Sequence, residues 1–306
     1  MRRVPLVLLV VVIAAACAGE GSLAPPTTPP ATTSPPTATS SSADPPSTEG
    51  TIPIDGGRVV VTMTVDEEPR QALVVVPERL AMPASLVVVF HGFTGTSARV
   101  EAQSGLSDLA AEEGFVVAYP QGAGIVPSWR TSSLQGDEDV RFVEAVIDLV
   151  ADAVPIERVL ATGMSNGGGM AGRMACDRAD LVDAVAPVAA AHPPTVCDPS
   201  EAVPILAFHA MDDRVVRYDG FGPLVFGQEE WAVAWARRNG CEPISEVSRV
   251  AEGVDTLTWG ACDAPVILYR SATGGHRWPG PDAPPGSDAA RFEASAVMWA
   301  WFDGIG

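Results

Sequence analysis

The sequence predicts an α/β domain: a mostly parallel β-sheet covered by helices on both faces. Two observations carry this. Short β-branched runs recur along residues 51–306 with little polar alternation, which is what strands buried on both faces require. Between them lie segments with apolar residues at helical spacing, and strand-helix alternation of this kind marks an open α/β sheet. In such a sheet, sites gather beyond the carboxyl ends of the strands.

Taken in order, strands are expected at residues 59–65, 72–76, 86–90, 115–119, 159–163, 184–188, 205–208 and 266–269. The first two follow each other without a helical segment and are read as an antiparallel edge. Helices are expected at 98–113, 140–150, 166–175, 228–239 and 291–302. In the second of these, Val140, Val143, Ile147 and Val150 form one apolar stripe, with Asp137 placed to cap it.

Residues 1–50 read differently. Met1-Arg2-Arg3 and the apolar run to Ala16 have the layout of an export signal, shorter than the roughly 20 residues of a membrane span. Ala14-Ala15-Ala16-Cys17 resembles a bacterial lipobox, which implies cleavage before Cys17 and acyl chains on it. Membrane contact is then expected through that lipid anchor only, and the alternative is a secretory signal that releases the protein. Residues 18–50 are rich in Pro, Thr and Ser and are expected to be a disordered linker. Residues 51–306 suffice for one domain with a substantial core.

The chain has a net charge of -19, and every basic residue is arginine. That balance excludes nucleic acid as an expected partner. Apart from Cys17 there are four cysteines, and an exported chain is expected to pair them. Cys176–Cys197 and Cys241–Cys262 close two loops of similar modest length, each worth about 3 kcal/mol in the chain-entropy picture. No C-x-x-C or H-x-x-x-H spacing supports a zinc site, and no metal or other cofactor is expected.

Gly163-Met164-Ser165-Asn166-Gly167 matches the sharp strand-to-helix turn that lifts a serine hydroxyl out above the sheet, and its flanks read as strand and helix. Such a hydroxyl needs an imidazole as base and a carboxylate to orient the imidazole. With the chain order nucleophile, acid, histidine, His91 is removed. Of His192, His209 and His276, the last follows a strand and a glycine-containing loop and is the best base. His209 is read as a structural hydrogen bond at a strand end and His192 as a surface loop residue. Asp212 and Asp213 are both candidates for the acid, and spacing alone does not choose. Two main-chain amides, of Phe93 after the strand 86–90 and of Asn166 after the serine, are placed to hold an oxyanion. Trp129 and Trp278 are candidate walls of a substrate pocket.

Together, His91-Gly92-Phe93, Val117-Ala118-Tyr119-Pro120-Gln121-Gly122, Gly163-Met164-Ser165-Asn166-Gly167-Gly168, Asp213-Arg214-Val215-Val216 and Gly274-Gly275-His276-Arg277-Trp278-Pro279-Gly280 resemble the polyhydroxybutyrate depolymerase and feruloyl esterase family. The resemblance spans nearly all of residues 73–302. It implies an α/β-hydrolase fold, no metal, and a catalytic triad on Ser165, Asp213 and His276, the acid being the aspartate two residues before paired valines. Two departures, His209-Ala210 for the family's His-Gly and Arg217-Tyr218 for its Pro-Tyr, leave that triad intact. The expected activity is hydrolysis of carboxylic esters through an acyl-enzyme, on feruloyl or acetyl esters of polysaccharide or on short polyhydroxyalkanoate esters. With no polymer-binding domain in the sequence, soluble esters are favoured. The rivals are a serine peptidase on the same fold and a catalytically silent surface-binding lipoprotein.

Overall fold

The computed structural model of the chain describes residues 48–193 and 197–305. The signal at 1–17, Cys17 and residues 18–47 of the expected linker lie outside the described residues. Thr48–Glu49, assigned above to the linker, form a short strand β1 that pairs with Met63 and Thr62, so ordered structure starts before residue 51.

The remaining strands are β2 (Gly57–Val65), β3 (Glu68–Val76), β4 (Ala84–Phe90), β5 (Val116–Pro120), β6 (Ile156–Met164), β7 (Ala184–Val188), β8 (Ile205–Ala210), β9 (Ser245–Ala251), β10 (Val254–Trp259) and β11 (Val266–Ser271). They form one 11-stranded sheet in the order β1-β2-β3-β5-β4-β6-β7-β8-β11-β10-β9. From β5 through β11 in that order every pairing is parallel. Both flanks are antiparallel, β1-β2-β3 joining β5 on one side and β9-β10 joining β11 on the other.

The apolar strand runs are explained by a core on each face. On β4, Leu86, Val88 and Phe90 point to one cluster and Val87 and Val89 to the other. Helices α3 (Glu138–Ala153), α4 (Asn166–Asp177) and α5 (Gln228–Arg238) cover the first face. Helices α1 (Ser97–Ser104), α2 (Leu106–Glu113) and α6 (Ala294–Gly304) cover the second. Each fully buried Val, Leu or Phe contributes about 1.5–3 kcal/mol, so an aspartate in place of Val88 would break the layer.

Three local expectations are corrected. The helix expected at 98–113 is two helices, because Gly105 adopts the left-handed conformation (φ 62°) that ends α1 and turns the chain into α2. Asp137 occupies the N-cap position of α3 without capping it, since its carboxylate instead accepts a 2.7 Å bond from Arg173. The helix expected at 291–302 is a 3-10 turn, Asp288–Arg291, followed by α6. The structure pairs Cys176 with Cys197 and Cys241 with Cys262.

Candidate active site

Ser165 lies between β6 and α4 at φ 58°, ψ -119°. A non-glycine residue at positive φ costs of order 1–3 kcal/mol and persists only where its surroundings impose it. Here they do. The Ser165 amide donates to Val188 O at 2.9 Å, and its carbonyl accepts from Gly169 at 3.0 Å and Ala191 at 3.1 Å. The turn is also sterically closed: a Cβ on Gly163 would lie 2.6 Å from Gly167 O and 2.7 Å from Phe90 O. Small residues therefore allow the first turn of α4 to pack directly on the end of β4.

Asp213 and His276 come from loops after β8 and β11, which are neighbours in the sheet, so residues 63 positions apart meet. His276 Nδ1 lies 2.7 Å from Asp213 Oδ2. The other carboxylate oxygen accepts from the amides of Val215 at 2.8 Å and Val216 at 3.0 Å. Asp213 is buried, which by itself would push its pKa up. Hydrogen bonds from His209, His276 and the Val215 amide outweigh that and hold the carboxyl well below the usual carboxylate range. Asp212 plays a separate part, its Oδ1 accepting from Gly274 at 2.9 Å and Gly275 at 2.7 Å and so tying the acid loop to the histidine loop.

The second imidazole on Asp213 is a residue whose importance the sequence understates. His209 Nε2 lies 2.9 Å from Val216 O and 3.3 Å from Asp213 Oδ2. A carbonyl only accepts, so Nε2 carries a hydrogen and shares it with the carboxylate. The signal was present, since His209 lies near the end of β8, shortly before Asp213, but only the tertiary pairing shows which atoms it reaches. His192 is corrected outright. It is buried rather than on the surface, and stacks on Trp231 with ring centroids 3.8 Å apart.

His91 fixes the loop after β4. Its Nδ1 donates to Gly92 O at 2.8 Å and its Nε2 accepts from the Gly122 amide at 2.9 Å, an arrangement that requires the neutral ring. Burial lowers its pKa below the usual value, consistent with that form. Gly92, just before Phe93, approaches Ser165 so closely that a Cβ there would touch Ser165 Cβ at 3.5 Å, and Asn166 opens α4, where helical amides have no intrahelical partner. Asn166 is locked by two bonds to Trp129, Oδ1 accepting from its amide at 2.7 Å and Nδ2 donating to its carbonyl at 3.0 Å.

Ser165 and His276 line one cleft of about 510 Å3, together with Met164, Phe93, Val215, Arg99, Gln103 and Arg277. No hydrogen bond joins the two side chains among the described residues, a looseness common before a substrate completes the geometry. Trp129 and Trp278 are not among its lining residues, which corrects their expected place as pocket walls. They are 3% and 2% exposed: Trp129 packs on Phe90 and donates to His91 O, and Trp278 lies in the opposite core layer and donates to Ser295. Trp129 thereby braces the loop after β4. Among the described residues no group of three or more His, Cys, Asp or Glu is arranged to hold a metal ion.

The sheet order, the strained serine after a parallel strand and the acid and histidine on loops after two later strands define an α/β-hydrolase fold. Comparison with known proteins agrees. No family model matches the chain. It is similar to "Feruloyl esterase B" of Piromyces equi, 30% identical over 52% of this chain and 33% of that protein. NocK of Nocardia uniformis subsp. tsuyamanensis, which carries an esterase name, is 30% identical over 64% of this chain and 65% of its own length. The matches thus span from about a third to just under two thirds of these relatives. Among solved structures, an acetyl xylan esterase from Aspergillus awamori superposes with a TM-score of 0.58 at 16% identity, covering 69% of this chain and 90% of that one, which speaks for the fold. The chain is thus similar in sequence to proteins named feruloyl esterase and esterase, and its fold is that of the α/β-hydrolases.

Proposed function

We propose that the chain is an exported serine esterase that hydrolyses carboxylic esters through an acyl-enzyme on Ser165. The reading rests on one observation: the 2.7 Å pair of Asp213 and His276 opens on the same cleft as a serine held at positive φ. Because Asp213 occupies Nδ1, the His276 Nε2 is the nitrogen left to take a proton. Ser165 Oγ attacks the ester carbonyl carbon, its proton passing to His276 Nε2. The amides of Phe93 and Asn166 hold the oxyanion, worth about 100- to 1000-fold in rate for each such donor. Breakdown cleaves the ester C–O bond, and the alcohol leaves with the proton from His276. Water then adds to the acyl carbon, gives its proton to His276, and the acid departs as the proton returns to Ser165 Oγ.

Feruloyl or acetyl esters of polysaccharide, or short hydroxyalkanoate esters, are the substrates we put forward, by likeness to the named relatives. Export is supported by the two disulfides, which persist in oxidising compartments, and the proposed site of lipid anchoring is Cys17. A fluorophosphonate probe and a set of p-nitrophenyl esters test the reaction. We expect covalent labelling and ester turnover that both vanish in Ser165→Ala. Folded wild type that neither labels nor turns over ester would indicate a silent binder, and turnover of peptide amides without esters would indicate a peptidase.

A further inference from the structure

The cleft over Ser165 reverses the electrical sign of the rest of the molecule. The chain carries 38 acidic residues against 19 arginines, yet the cleft is lined by Arg99 and Arg277 and by no carboxylate. Ten arginines elsewhere pair with Asp or Glu, namely Arg58, Arg70, Arg130, Arg141, Arg158, Arg173, Arg178, Arg249, Arg270 and Arg291, whereas Arg79, Arg214, Arg217, Arg237 and Arg238 make no ion pair among the described residues and lie outside this cleft. Arg99 and Arg277 are exposed and make no ion pair or side-chain hydrogen bond among the described residues. Arg99 also stands in the first turn of α1, which contains no acidic residue, although the helix dipole disfavours a cation there. Local stability therefore does not account for it. Gln103, one helical turn on, lies beside it in the same lining and adds an amide donor.

We propose that Arg99 and Arg277 make this cleft selective for esters that carry a carboxylate, on either the acyl chain or the alcohol part. This rests on the esterase reading above and names its substrate class. Uncompensated guanidiniums in a concave site bind carboxylate through paired N–H donors and raise the local concentration of anions that the rest of the surface repels. Phe93, Met164 and Val215 in the same lining serve the uncharged part of the ester. Among the substrates above, this favours hydroxyalkanoate oligomers with a free carboxyl end and esters on uronate-bearing polysaccharide over neutral ones.

The test uses two matched pairs: 4-nitrophenyl butyrate against 4-nitrophenyl hydrogen glutarate, and methyl 4-acetoxybenzoate against 4-acetoxybenzoate. The first places the carboxylate on the acyl chain and the second on the alcohol part. The expected result is a higher kcat/KM for the anionic member of at least one pair at low salt, shrinking as ionic strength rises. Arg99→Gln and Arg277→Gln should each lower the anionic-to-neutral ratio about fivefold, the worth of one exposed ion pair, and Arg99→Glu should push it further in the same direction. A ratio near one in both pairs, or a preference that survives the double Gln variant, overturns the inference while Ser165-dependent turnover of the neutral ester keeps the esterase reading. Failure to hydrolyse any of the four esters overturns both.

Discussion

Two clefts of this protein are built from similar side chains and make opposite use of them. The larger, about 750 Å3, lies beside β3 and α3 and is lined by Arg70, Arg130 and Arg141. Each of these is answered by a carboxylate: Arg70 by Asp139 at 2.8 Å, Arg141 by Asp66 at 2.8 Å, and Arg130 by Glu138 at 3.5 Å. The smaller, about 510 Å3, holds the strained serine, the imidazole and two arginines that make no ion pair among the described residues. Volume alone would choose the ion-paired one. A charge already satisfied holds structure together, whereas a strained backbone and unsatisfied donors stay in place only where the rest of the fold sustains them.

The sharpest break of this comparison is Asp213→Asn. By swapping the carboxylate for an amide it misorients the His276 ring, and we expect kcat to fall about 10,000-fold. Asp212→Asn, which keeps an oxygen for the Gly274 and Gly275 amides, should lose far less. Steady-state kinetics on a p-nitrophenyl ester decide between the two, and reversed effects would assign the acid to Asp212. In the ion-paired cleft the outcome should be the converse. Asp139→Ala strands the buried Arg70 guanidinium and should cost about 3–5 kcal/mol of stability, read by urea unfolding, while changing kcat/KM of the folded protein much less.

A smaller effect is expected at His209, a positioning residue that acts through Asp213. Removing its shared hydrogen with His209→Phe should lower kcat about tenfold with little change in KM and move the acidic limb of the pH-rate profile. His209→Gln, which keeps a donor, should restore part of both. A variant that loses only stability, with an unmoved profile, would reduce His209 to packing.

The smallest effect is in acid stability. Asp213 is depressed in the folded state, so its stabilisation is complete above the ordinary carboxylate value of about 4 and is lost as pH falls through the folded value. The difference in unfolding free energy between wild type and Asp213→Asn should therefore be flat above about pH 4 and shrink below it. Urea titrations across that range check the sign.

Much of this was legible in the chain. All eight expected strands form, because a run such as Leu86–Phe90 has no polar position to expose and fits only a sheet covered on both faces. The turn at Ser165 was equally visible, since a pattern of small residues is itself the steric requirement. What escaped were β1, β9 and β10. Ser245–Ala251 is exposed along most of its length and needs no apolar pattern, being held as an edge strand by pairing with β10. Gly105 hid for a related reason, as one glycine inside a helical pattern does not reveal whether the chain turns there.

By itself, then, the sequence determined the layers, the place of the nucleophile turn and the loops that could supply an acid and a base. These depend on local periodicity and local sterics, which a linear reading retains. Only the tertiary structure decided that His209 shares the carboxylate that meets His276, that Trp129 and Trp278 are buried, and that Arg99 and Arg277 line the cleft of Ser165 with no ion pair among the described residues. Each of those outcomes turns on which distant groups compete for one charge, and that competition exists only once neighbouring strands have brought their ends together.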